Sequence, residues 1–252
     1  MPSRPPPRLH VLTRPESPTA VVLRQGPSQV FCTIGWDLRT DALAVGQWCR
    51  HKLYVERCDI SPDGYWMVYF ALNGRWQSET RGAWTAVSIA PYLRAVKLWP
   101  AGDTWGGGGA FHAPGDEPER SVVGWTDERV VLTTALAYPD KLVRDGWQRH
   151  AAPPKHYAKP AARGWRLLKF LRRPQQHELR HDDGRVIACP GWEWADVDAP
   201  RARVVWAEAG KLCAASLARD GLTEPRELLD TGPMTFSPVP APYDVPTVIV
   251  TR

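Results

Sequence analysis

Long apolar runs are missing from this chain. No segment of the 252 residues approaches the roughly 20 consecutive apolar residues that a bilayer-spanning helix needs. The opening, Met1-Pro2-Ser3-Arg4-Pro5-Pro6-Pro7-Arg8, lacks the apolar core of a secretory signal. The expectation is a cytoplasmic protein with no membrane contact. Cysteine is sparse as well. Cys32, Cys49, Cys58, Cys189 and Cys213 are odd in number, widely spaced and contain no CxxC, which argues against a disulfide framework and predicts free, buried thiols. There is no GxSxG and no cysteine in an activated context, so acyl-transfer and redox chemistry have no positive support. No cofactor is implied.

What the chain has in excess is tryptophan, proline and glycine: 13, 25 and 20 residues. Proline and glycine at this density argue against long helices and for many short elements joined by turns. An apolar fraction of 43% and a charged fraction of 23% fit an ordinary globular protein with a full core. Residues 1–20 are Pro-rich and polar and read as a loose arm, which leaves 21–252 as a single domain.

Asp59-Ile60-Ser61-Pro62-Asp63-Gly64 is the strongest local signal. Ser, Pro, Asp and Gly suit the four positions of a type I turn in order, and the run Tyr65-Trp66-Met67-Val68-Tyr69-Phe70 behind it is strand-forming. Five more strand–turn–strand units follow the same logic, with turns near residues 26, 91, 127, 184 and 210. With the turn at 63, the mean spacing is about 37 residues, close to the four-stranded repeats of propellers. The fold class is therefore all-β, a small degenerate propeller-like fold of five or six blades, with a β-sandwich as the alternative. The terminal strand, Pro246 to Thr251, would complete the first blade and remove an open edge. The many Trp would fill the space between stacked sheets.

The Asp59–Gly64 turn with its following strand resembles the blade signature of TolB-like and WD-repeat propellers. Gly46-Gln47-Trp48, Leu98-Trp99-Pro100, the stretch Gly102 to Gly109 and Gly191-Trp192-Glu193-Trp194-Ala195-Asp196 are similar to an uncharacterised bacterial family with the same pattern. The resemblance implies an interaction platform rather than a particular chemistry.

Candidate sites are few. Gly106 to Gly109 are followed by Ala110-Phe111-His112, with no Lys or hydroxyl placed as a phosphate loop requires. These glycines read as a tight crossing that lines a binding face with Asp103, Trp105 and His112. Cys49-x-His51 with Cys58, and His177-x-x-x-His181 with Cys189, lack strong metal-ligand spacing and read as structural. Asp37, Asp41, Asp59, Asp103, Glu193 and Asp196 lie near aromatic residues, which keeps a propeller hydrolase acting on a glycoside-like substrate as an alternative.

Charge is uneven. From Lys141 to His181, eleven Lys or Arg stand against Asp145 and Glu178, a local +9 that leaves −4 for the rest of a chain whose net charge is +5. Gly164 to Arg173 would form either an amphipathic helix with Arg166, Lys169, Arg172 and Arg173 on one face, or a twisted edge strand. Such a patch suits an acidic protein partner or nucleic acid. The reading reached is a non-catalytic protein-interaction module that uses Asp103, Trp105, His112 and the basic 155–173 segment, with nucleic-acid binding as a further alternative.

Overall fold

The computed structural model describes residues 5–115, 123–127, 130–133, 137–172 and 174–250. The chain is all-β, and contacts group it into two units. One unit holds Met1–His10 and Leu142–Met234; the other holds Val11–Lys141 and Thr235–Arg252.

Three sheets fall wholly or mainly in the second of these. The first sheet runs in the order β1 (Arg8–Leu12), β2 (Thr19–Gln25), β3 (Phe31–Asp37) and β4 (Leu43–Cys49). Residues 8–12 are thus a strand rather than part of a loose arm, because Leu9 and Val11 alternate as buried positions on a pleat. The second sheet is built from β5 (Lys52–Leu53), β6 (Asp59–Ile60), β7 (Trp66–Leu72), β8 (Ala83–Ile89) and β9 (Ala95–Pro100). The third comprises β10 (Ala110–His112), β11 (Val123–Asp127) and β12 (Val130–Thr133), with β12 in the middle. Of the turn expected at 126–128, Thr126 and Asp127 belong to β11, where Asp127 stands opposite Val130 of β12, and Glu128 lies outside the described residues.

β7 explains why its sequence is apolar without a break. Met67, Tyr69 and Ala71 pack with Val21, Leu23 and Phe31 of the first sheet. Trp66 and Val68, on the opposite face, pack with Phe111, Val130 and Leu132 of the third. A strand buried on both faces loses the usual alternation of apolar and polar residues.

The other unit contains a helix end and two sheets. α1 (Tyr138–Arg144) leads into the fourth sheet, whose order follows the chain: β13 (Gln148–His150), β14 (His156–Pro160), β15 (Trp165–Phe170), β16 (Gln176–His181) and β17 (Val186–Cys189). The fifth is the meander β18 (Trp194–Asp198), β19 (Arg203–Glu208), β20 (Lys211–Ala218) and β21 (Gly221–Asp230). Among the described residues none of the five sheets closes on itself.

Two local expectations are corrected. The segment 165–170 is neither a helix nor an edge strand: β15 lies third of five, paired on both sides. Its leucines sit on both faces (Leu167 on one, Leu168 on the other), and two-sided burial in a sheet outweighs its helix propensity. The last strand, β22 (Val248–Ile249), does not complete the first sheet. It pairs in parallel with β9 of the second, Val248 opposite Lys97 and Ile249 opposite Leu98. The preceding segment leads it there: Gln47 Nε2 donates to Val239 O at 3.0 Å, and the Tyr243 hydroxyl and Thr247 Oγ1 donate to Arg94 O and Ala95 O, each at 2.6 Å.

Eight of the thirteen Trp are buried. Trp105 and Trp76 are the exposed ones.

Candidate functional site

The Ser61–Gly64 turn forms as its residues dictate. Gly64 N–H donates to Ser61 O at 2.9 Å, and Ser61 Oγ accepts the Trp66 amide at 2.8 Å. Gly64 has φ +75°, a conformation that glycine adopts without strain.

The glycine loop is a close crossing against the second sheet, and it is built from four supports. Gly107 lies so close to Phe70 that a Cβ there would overlap the ring, and Gly108 stands equally close to the Arg57 backbone. Gly108 N–H donates to Thr85 Oγ1 at 2.8 Å. The Arg57 guanidinium lies 5.1 Å from the Tyr54 ring centroid and 5.2 Å from that of Phe70, and donates to Thr104 O and Gly106 O at 3.0 and 2.8 Å. Asp103 Oδ1 accepts the Trp105 amide at 2.9 Å. The outcome is a braced loop that holds Trp105 92% exposed. His112 does not join it: His112 is buried in β10, with a ring nitrogen 3.1 Å from Thr133 Oγ1.

The basic segment is dispersed by its own pleat. Arg166 and Lys169 occupy opposite faces of β15, because their positions differ by an odd number. Arg166 is ion-paired with Asp182. Arg172 lies beyond the other end of the strand and is exposed, and Arg173 lies outside the described residues. Lys169 is 1% exposed, its ammonium 4.4 Å from the Trp147 ring centroid and 6.0 Å from that of Trp194.

Lys169 belongs to a feature that reading the sequence missed. Tyr157, Lys169, His177 and Cys189 stand opposite one another across four adjacent strands, so they share one buried face of the fourth sheet. From the fifth sheet Asp196 enters the same region, and its Oδ1 accepts from Lys159 Nζ at 2.8 Å. Burial alone would raise the Asp196 carboxyl, but Lys159 and Lys169 outweigh it and hold the group below the usual carboxylate range. The only available signal was alternation in each strand (Tyr157 with Lys159, Leu167 with Lys169), and it becomes a row only once the hairpin registers are known.

His177 is 3% exposed. Its Nδ1–H donates to Trp192 O at 3.0 Å, and Nε2 has no hydrogen-bond partner among the described residues. Burial, then the nearby Lys169, pushes its pKa from 6.5 down to about 3. The folded state therefore resists a proton that the unfolded chain accepts, and stability falls as pH drops from 6.5 towards 3. The expected slope is about 1.4 kcal/mol per pH unit from this group alone. Urea unfolding of the wild type and His177→Leu at pH 7, 6 and 5 checks it; equal slopes in the two proteins would refute it.

The acids considered for hydrolysis have other duties. Asp37 Oδ1 accepts the Arg39 amide at 2.7 Å, Asp41 Oδ1 accepts Trp36 Nε1–H at 3.1 Å, and Asp59 Oδ2 accepts the Phe111 amide at 2.8 Å. Asp103 braces its loop and Asp196 is ion-paired. Glu193 accepts the Leu9 amide at 3.2 Å; burial raises its carboxyl, and Glu208 adds to the rise against the pull of Leu9 N–H and Arg8. The five cysteines are free, and burial pushes Cys32 and Cys189 up to about 12, and Cys49 and Cys58 up to about 11. Such thiols carry no appreciable thiolate at neutral pH. No group of three or more potential metal ligands occurs among the described residues, and no helix there is long and apolar enough to cross a membrane.

The chain matches no known family model, and no curated protein is significantly similar to it.

Proposed function

We propose that this chain is a non-catalytic protein-interaction module that engages a partner through the Trp105 loop. The observation that carries the reading is a large aromatic side chain 92% exposed on a backbone fixed by Arg57, Asp103 and close glycine contacts. Exposed aromatic anchors on preordered loops are where binding energy concentrates, since little conformational freedom is lost on docking. Trp76, also exposed, sits on the β7–β8 connection at the same end of the second sheet. The succession of antiparallel sheets, each contiguous in the chain apart from the added β22, supports a propeller-like arrangement of five or six blades, with a sandwich as the competing architecture.

Hydrolysis is less favoured because all six candidate acids already serve backbone amides, an indole N–H or an ion pair. Nucleic-acid binding through 155–173 is less favoured because Lys159, Arg166 and Lys169 are paired or buried.

Trp105→Ala should leave unfolding unchanged and weaken partner binding about 30-fold, the cost of a 2 kcal/mol anchor. Side-by-side capture from host extract, quantified by mass spectrometry, tests this. A protein retained by the wild type and lost from Trp105→Ala supports the loop as the docking site; equal retention by both removes the loop from the interface.

A further inference from the structure

A second surface, in the other unit and independent of Trp105, has a partner chemistry that can be named. Between Gly146 and His177 the sequence contains no Asp or Glu. The fold consumes several of its cations, as described above, but leaves Arg149, Lys155 and Arg172 exposed at one end of the fourth sheet. Arg149 lies on β13, Lys155 in the β13–β14 connection and Arg172 just beyond β15, two strand spacings or about 10 Å across. Arg149 leans on the Tyr157 ring, 5.8 Å from its centroid, which stiffens it without neutralising it.

β13 is the outermost strand of that sheet, and Gln148, Arg149 and His150 are all exposed. Among the described residues no strand pairs with its outer backbone edge, the edge to which a further strand would add. His150 and His156, directly opposite in register, stack at 4.6 Å with their planes 4° apart, and His156 tilts on Phe170 at 5.5 Å. His156 lies between the other two rings, which leaves a single ring face, the outer one of His150, for stacking. A nucleic-acid strand needs open aromatic faces for its bases, whereas an extended peptide needs a strand edge and matching charges.

We propose that the β13 edge is a docking site for an extended, acidic peptide segment. The segment adds as a sixth strand beside β13, and its carboxylates meet Arg149, Lys155 and Arg172.

The test uses the full-length protein and fluorescence anisotropy with three labelled probes: a short peptide of alternating Glu and Val, the same peptide with Pro in place of Val, and oligothymidylate. Expected is binding of the Glu–Val peptide that weakens with added salt, is about tenfold weaker for the Pro peptide, which cannot pair as a strand, and is about tenfold weaker in Arg149→Glu/Lys155→Glu. Trp105→Ala should bind the peptide like the wild type, so failure here and failure of the Trp105 loop are separate results. Equal affinity for the Glu–Val and Pro peptides would overturn strand addition without relying on any variant. Tighter binding of oligothymidylate would assign the surface to nucleic acid instead. Peptide binding untouched by the charge reversal, or no peptide binding at low salt, would remove the site.

Discussion

Asp196→Ala should lose about 4 kcal/mol of stability, among the largest effects of any single substitution here. The carboxylate is buried between the fourth and fifth sheets, 2.8 Å from Lys159 Nζ, and Lys169 also bears on it. Removing it takes a negative charge from beside two ammonium groups in an interior lined by Trp147 and Trp194. Breaking a buried pair in this way typically costs about 3–5 kcal/mol, because the remaining charge keeps its desolvation penalty and loses its compensation. A second substitution separates charge from packing. Lys169→Met preserves most of the side-chain volume and removes one of the two positive charges, so the double variant should recover part of the loss. Urea midpoints of the wild type, both single variants and the double variant give the coupling directly. A double variant as unstable as the sum of the singles would mean that Lys169 and Asp196 act independently.

Gly64→Ala should cost about 3 kcal/mol, and Gly74→Ala only about 1. Both glycines have φ above +70°, so both substitutions impose left-handed strain on an L-residue. The difference is space. A Cβ at Gly74 meets nothing within 4 Å, whereas one at Gly64 would overlap Thr19 Oγ1 and Ser17 Oγ. Ser17 Oγ cannot simply swing away, because it donates to Thr19 O at 2.7 Å and accepts the Thr19 amide at 3.0 Å, and Thr19 Oγ1 lies 3.3 Å from it. Thermal unfolding of the two variants side by side measures the contribution of the contact above that of the dihedral. Equal losses would show that Ser17 and Thr19 yield without cost.

The candidate surfaces were unevenly legible. Trp105 and Asp103 sit together as expected, because an Asx-type bond to the Trp105 amide is a local matter settled within a few residues. His112, only seven residues further, is buried in β10, because the third sheet needed its strand more than the loop needed its ring. The basic segment misled for a similar reason. A run of charges gives their sum, but whether Arg166 and Lys169 share a face depends on whether the backbone repeats every 3.6 residues or every two. Lys169 ended in the core and Arg172 at a sheet end, while Arg149, outside the segment considered, emerged as its neighbour.

Sequence alone determined the all-β class, the positions of the hairpin turns near 26, 63, 91, 127, 184 and 210, and the free cysteines. These depend on dihedral preferences and short-range hydrogen bonds, which neighbouring residues specify without help. Tertiary structure decided the rest: the placement of β22 on β9, the strand state of 165–170, and the buried row from Tyr157 to Cys189 facing Asp196. Each joins residues far apart in the chain, and strand register and sheet stacking are set by the burial of whole faces, which no local run of residues encodes.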